Sequence, residues 1–100
     1  MNNTINLAIQ VLPLGIPKEE AYRIIDAAIA VIAASGLQYE VSPFETVIEG
    51  SYEKVMQLVE QVQQACNRAG AGELLINMKL QRSFVKDVSI EEKMGSYRKR

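Results

Sequence analysis

One hundred residues, 48% of them apolar and 23% charged, suit one domain, since domains cluster near about 100–150 residues and this apolar content can offset the entropy of ordering one core. The formal net charge is −1, which excludes a global field for nucleic acid or an anionic membrane. The absence of histidine excludes histidine general bases, Ser-His-Asp and Cys-His systems and nearly every common zinc or iron site, and a single cysteine, Cys66, excludes an internal disulfide. The opening Met1-Asn2-Asn3-Thr4 carries no basic leader, and the longest apolar run, Ala27–Ala34, is far short of a membrane span. A cytoplasmic protein with no membrane partner, no metal and no cofactor is expected. The closing Ser96-Tyr97-Arg98-Lys99-Arg100 is basic but too short for a nucleic-acid stripe, and reads as a frayed terminus.

Ile5, Leu7, Ile9 and Val11 alternate with Asn6, Ala8 and Gln10, the period of a half-buried strand, and Pro13-Leu14-Gly15-Ile16-Pro17 ends it. Pro17 suits a helix start, and Glu19 and Glu20 complement the positive end of the dipole. Helix one is predicted over 18–35, with Gly36 as a left-handed cap. Its second half, 27–34, is apolar nearly all round, so a helix lying on a sheet would need further cover there. Leu37, Tyr39 and Val41 mark strand two, Ser42-Pro43-Phe44-Glu45 a tight reversal, and Thr46–Glu49 strand three. Ser51 caps helix two, whose stripe is Val55, Leu58, Val59, Val62, Cys66 and Ala69; Gly70-Ala71-Gly72 ends it. Leu74, Ile76, Met78 and Leu80 alternate in strand four, and residues 81–88 form a loop. Ser89-Ile90-Glu91-Glu92 then fits a capping box before a short helix striped by Ile90, Met94 and Tyr97.

The order β-α-β-β-α-β with right-handed crossovers makes one α+β, ferredoxin-like domain over 1–100. Its four-stranded antiparallel sheet runs in the order 4-1-3-2, with both helices on one face, the other face open, and a short C-terminal helix. Period two places Thr46 with Ile48 on the helix side and Glu49 on the open face. A top edge then gathers Gly15, the start of helix one, Ser42-Pro43-Phe44 and Thr46, with Tyr22 within reach. The open face gathers Asn6, Glu49 and Lys79, with Glu40 and Gln10 farther up. One regular strand cannot offer Thr46 and Glu49 to the same small ligand, so either a bulge intervenes or the two residues do different jobs.

Fold alone does not give function. Val11-Leu12-Pro13-Leu14-Gly15, followed by Gly36-Leu37-Gln38-Tyr39-Glu40-Val41-Ser42-Pro43-Phe44-Glu45-Thr46-Val47-Ile48-Glu49-Gly50 and then Met78-Lys79-Leu80, resembles the small thiamine-binding protein family. The resemblance spans the whole chain. It implies binding of thiamine or its hydroxymethylpyrimidine moiety, without catalysis, for delivery or sensing, by a homodimer or homotetramer. Family members often follow the lysine of the last strand with an acidic residue and an arginine pair; here Lys79 is followed by Leu80-Gln81-Arg82-Ser83-Phe84, so no role of that pair carries over.

An aminopyrimidine presents an acceptor nitrogen beside a donor amino group, an edge that a carboxyl, hydroxyl or amide satisfies, while an aromatic ring stacks on its face. Thiamine's thiazolium is cationic and favours a carboxylate. The candidate ligand-binding residues are therefore Thr46, Glu49, Glu40, Ser42, Tyr22 and Gly15, with Glu49 open to the competing reading of a salt bridge to Lys79. Cys66 reads as core. An RNA-binding domain of this fold needs aromatics on the central strands, where this chain has Asn6, Ala8, Gln10, Val47 and Glu49. An enzyme is disfavoured by scattered carboxylates and the lack of an arginine-bearing phosphate loop. The alternative is a structural or regulatory ferredoxin-like oligomer that binds another small metabolite.

Overall fold

The computed structural model describes residues 3–98; the outermost Met1-Asn2 and Lys99-Arg100 lie outside them. The elements are β1 (Thr4–Pro13), α1 (Lys18–Ala34), β2 (Gln38–Val41), β3 (Thr46–Ser51), α2 (Tyr52–Arg68), β4 (Leu74–Gln81) and α3 (Ile90–Arg98). All four strands form one antiparallel sheet in the order β2-β3-β1-β4, the expected 4-1-3-2 read from the other edge. The fold is ferredoxin-like α+β.

Register follows from the apolar alternation. Leu7 sits opposite Ile48 on one side and Leu80 on the other, so the odd positions of β1 form one apolar row facing the helices. Ile5, Leu7, Ile9 and Ile48 meet Ile24, Ala28 and Ile32 of α1 and Val55, Leu58 and Val62 of α2, and this cluster is the core. Each such aliphatic side chain contributes about 1.5–3 kcal/mol on burial. Cys66 lies buried within the cluster, and burial pushes its thiol up from its ordinary value of 9.0.

The caps are those the local residues provide. Ser51 Oγ accepts from the Lys54 amide at 3.3 Å at the start of α2, and Ser89 Oγ accepts from the Glu92 amide at 3.0 Å at the start of α3. Gly36 takes φ +81°, the left-handed turn that lets the chain leave α1 and enter β2. Gly50 is needed for a different reason: a Cβ there would lie 3.2 Å from Leu37 Cδ2, so the end of β3 packs directly under the Leu37 side chain.

The sheet face opposite the helices is not wholly open. The segment after β4 crosses it, with Val88 N–H donating to the Thr4 carbonyl at 3.0 Å and Thr4 N–H to Asp87 Oδ1 at 2.8 Å. Val88 and Ile90 are buried against the lower half of that face, and α3 runs on from there. The basic close is correspondingly helical as far as Arg98, which pairs with Glu40 and lies 3.4 Å from Glu91. Backbone pairing to β1 and a buried apolar pair hold in place a segment whose composition alone reads as loop and frayed end.

Candidate functional site

A cavity of about 180 Å³ opens at the top edge, between α1 and the reversal that joins β2 to β3. Ile25, Ala28, Ile29 and Ile32 of α1 form one wall. This accounts for part of the excess apolarity of α1: a third side of the helix faces the cavity, and the outermost positions are the small Ala30, Ala33 and Ala34. Gln10, Val11 and Leu12 of β1 and Thr46 of β3 form the floor, and Pro43, Phe44 and Glu45 form the rim. An apolar lining with a few converging polar groups is the usual make-up of a small-molecule site.

Thr46 is only 6% exposed, because its position on the helix side of β3 turns it inward beside the core. Phe44, at 79% exposed, stands free at the rim with a ring face available for stacking. The reversal itself is self-contained. Ser42 Oγ donates to the Glu45 carbonyl at 2.6 Å and accepts from the Glu45 amide at 3.2 Å, so Ser42 lines the cavity while its hydroxyl serves the turn.

The remaining candidates lie elsewhere. Gly15 and Tyr22 are exposed and do not line the cavity; Tyr22 instead carries the Lys18 ammonium 5.7 Å from its ring centre. Glu40 pairs with Arg98. Glu49 Oε1 accepts from Asn6 Nδ2 at 3.1 Å and from the Ile90 amide at 2.5 Å, tying the sheet to the start of α3. The salt bridge to Lys79 is not formed: Lys79 sits opposite Ala8, two residues farther up β1 than the Asn6 that faces Glu49, and reaches Glu45 at 3.8 Å. Thus the two groups read from the sequence separate into a cavity at the top and a fastening at the bottom.

Glu45 is the residue that sequence reasoning missed. Among the described residues it is the one ionisable residue lining the cavity, and it also lines a hollow of about 250 Å³ on the opposite sheet face, together with Asn6, Lys79 and Lys93. The signal for it was its place in the reversal directly before Thr46, where strand periodicity says nothing about side-chain direction.

The profile of the thiamine-binding protein family matches residues 7–98. The chain belongs to that family. A UPF0045 protein of Clostridium perfringens is 32% identical over 97 residues, covering 96% of this chain and 99% of its own length. Among solved structures, a domain of unknown function, DUF77, from Bacillus cereus superposes with a TM-score of 0.89 at 34% identity, covering 97% of this chain and 92% of that one. A Thermotoga maritima protein provisionally assigned to thiamine biosynthesis or salvage gives a TM-score of 0.86 at 26% identity, covering 94% and 98%. Family membership agrees with the sequence resemblance, and the family is named for binding rather than for a reaction. Among the described residues no helix is long and apolar enough to cross a membrane.

Proposed function

We propose that the protein binds thiamine or its hydroxymethylpyrimidine moiety in the cavity between α1 and the 42–45 reversal, as a non-catalytic carrier or sensor in the cytoplasm. One observation carries this reading: an apolar cavity of about 180 Å³ with the buried Thr46 in its floor, Phe44 at its rim and a single carboxylate, Glu45, beside it. Sites for drug-sized ligands run to about 300–1,000 Å³, so this one fits a single heterocycle and leaves a second ring at the mouth. Thr46 and Gln10 supply hydroxyl and amide groups for an aminopyrimidine edge. Catalysis by paired carboxylates is not supported, because Glu45 stands alone in the lining and Glu40 and Glu49 are engaged elsewhere.

Calorimetric titration with thiamine and hydroxymethylpyrimidine side by side tests the proposal. A dissociation constant of micromolar order or tighter, near about −8 kcal/mol, is expected for at least one of them. No heat and no thermal shift with either compound would overturn it, since ligand at about 100 times its dissociation constant adds roughly 2.7 kcal/mol of stability.

The homo-oligomer belongs to the same proposal, and a separate observation supports it. β4 is an edge strand whose Met78 and Leu80 face the helix side yet remain 48% and 47% exposed. Both helices pack over β1 and β3, leaving this row uncovered. A second copy is the partner that would close such an edge symmetrically.

A further inference from the structure

Glu45 stands on the wall between the cavity and the hollow on the opposite sheet face, and Lys79 approaches it from the hollow side only. The Lys79 ammonium lies 3.8 Å from Glu45 Oε2, beyond hydrogen-bonding distance, and the two side chains are 81% and 31% exposed. Such a pair is a screened Coulomb contact, contributing at most about a five-fold equilibrium preference. The other carboxylates on that sheet face are held more firmly: Glu49 by two hydrogen bonds, Glu40 by Arg98. Glu45 is therefore the carboxylate that an incoming cation can take at least cost.

We propose that Lys79 is an internal competitor for Glu45, so that the site selects cationic over neutral heterocycles by exchanging the lysine ammonium for the ligand's positive charge. The inference rests on the cavity reading above, and gives that site a charge preference which neither its volume nor its apolar wall supplies. With one ring in the cavity, a cationic second ring at the mouth meets Glu45 from the side that Lys79 does not occupy. The ligand charge and the lysine then compete for one carboxylate. Lys79 lines the hollow and not the cavity, so its removal takes away the competitor and leaves the cavity lining intact.

The experiment compares thiamine, a permanent cation, with hydroxymethylpyrimidine, neutral at mildly alkaline pH, by titration against the intact chain, Lys79→Gln, Glu45→Gln and the double variant. The readout is the ratio of the two affinities. Lys79→Gln is expected to raise the thiamine preference about three- to five-fold, and Glu45→Gln to lower it about ten-fold. In the Glu45→Gln background, Lys79→Gln should have no further effect, the signature of a shared carboxylate. A ratio unmoved by Lys79→Gln, or one that falls, overturns the competition while leaving the cavity reading standing. Loss of both ligands by the intact chain removes the cavity reading, and the competition with it. Circular dichroism of each variant separates a lost fold from a lost preference.

Discussion

Thr46 and Glu49 are three residues apart on one strand and do different things, because a pleated strand sends them to opposite faces. Removing the Thr46 hydroxyl deletes a polar group from the cavity floor; Thr46→Val should weaken ligand binding by about 1–3 kcal/mol, measured by titration. Glu49→Gln, by contrast, should leave the isotherm nearly unchanged, since Glu49 touches Asn6 and Ile90 and not the cavity. Two silent variants would move the site away from this end of the sheet. Cys66 yields a pH prediction at the same scale. Its thiol is raised by burial, so the folded chain holds the proton to higher pH than the unfolded chain does. The stability this provides is fully present below the ordinary value of 9.0 and fades as pH rises above it. Denaturant melts should show an alkaline loss that is smaller in Cys66→Ala once that variant's own cavity penalty is subtracted, and alkylation of the native protein should be slow until it unfolds.

Among the helices, α3 has the least core of its own: Ile90 is its buried residue, and its first turn is fastened by one carboxylate. Glu49→Ala leaves the Ile90 amide and the Asn6 amide without that acceptor, at a cost of about 1–3 kcal/mol. Hydrogen exchange over 88–98 should accelerate in this variant well before the amides of β1 do; uniform acceleration across the chain would mean that the fastening is part of the core. This element also marks the limit of what the sequence discloses. The strands, both long helices, their caps and the opposite facing of Thr46 and Glu49 all follow from periods of two and 3.6 and from residues such as Pro17, Ser51 and Gly36, each a local signal. The capping box at Ser89 is local too, and was legible. Where α3 docks is not, because Glu49 meets Ile90 across 41 positions of sequence and no pattern within either segment encodes the meeting. The same holds for Glu45, whose direction is set by a turn, and for Lys79, whose partner was decided by a register offset of two residues.

At the scale of the whole molecule, the uncovered Met78–Leu80 row predicts self-association. Sedimentation at tens of micromolar should give a dimer or tetramer, and replacing Met78 and Leu80 together by lysine should shift it towards monomer without loss of helix content; a wild-type chain sedimenting only as monomer would refute the association. The order of strands has a consequence of another kind. β1 lies in the middle of the sheet, yet it is translated first, and each neighbour it pairs with, β3, β4 and the Val88 backbone, is translated later. On the ribosome, one side of the Leu7 and Ile9 backbone must therefore wait unpaired while some seventy further residues are added, about 4–14 s at roughly 5–20 residues per second. A chain stalled before β4 would carry that apolar strand with one side still unpaired, which makes the nascent polypeptide, more than the finished protein, a client for chaperones.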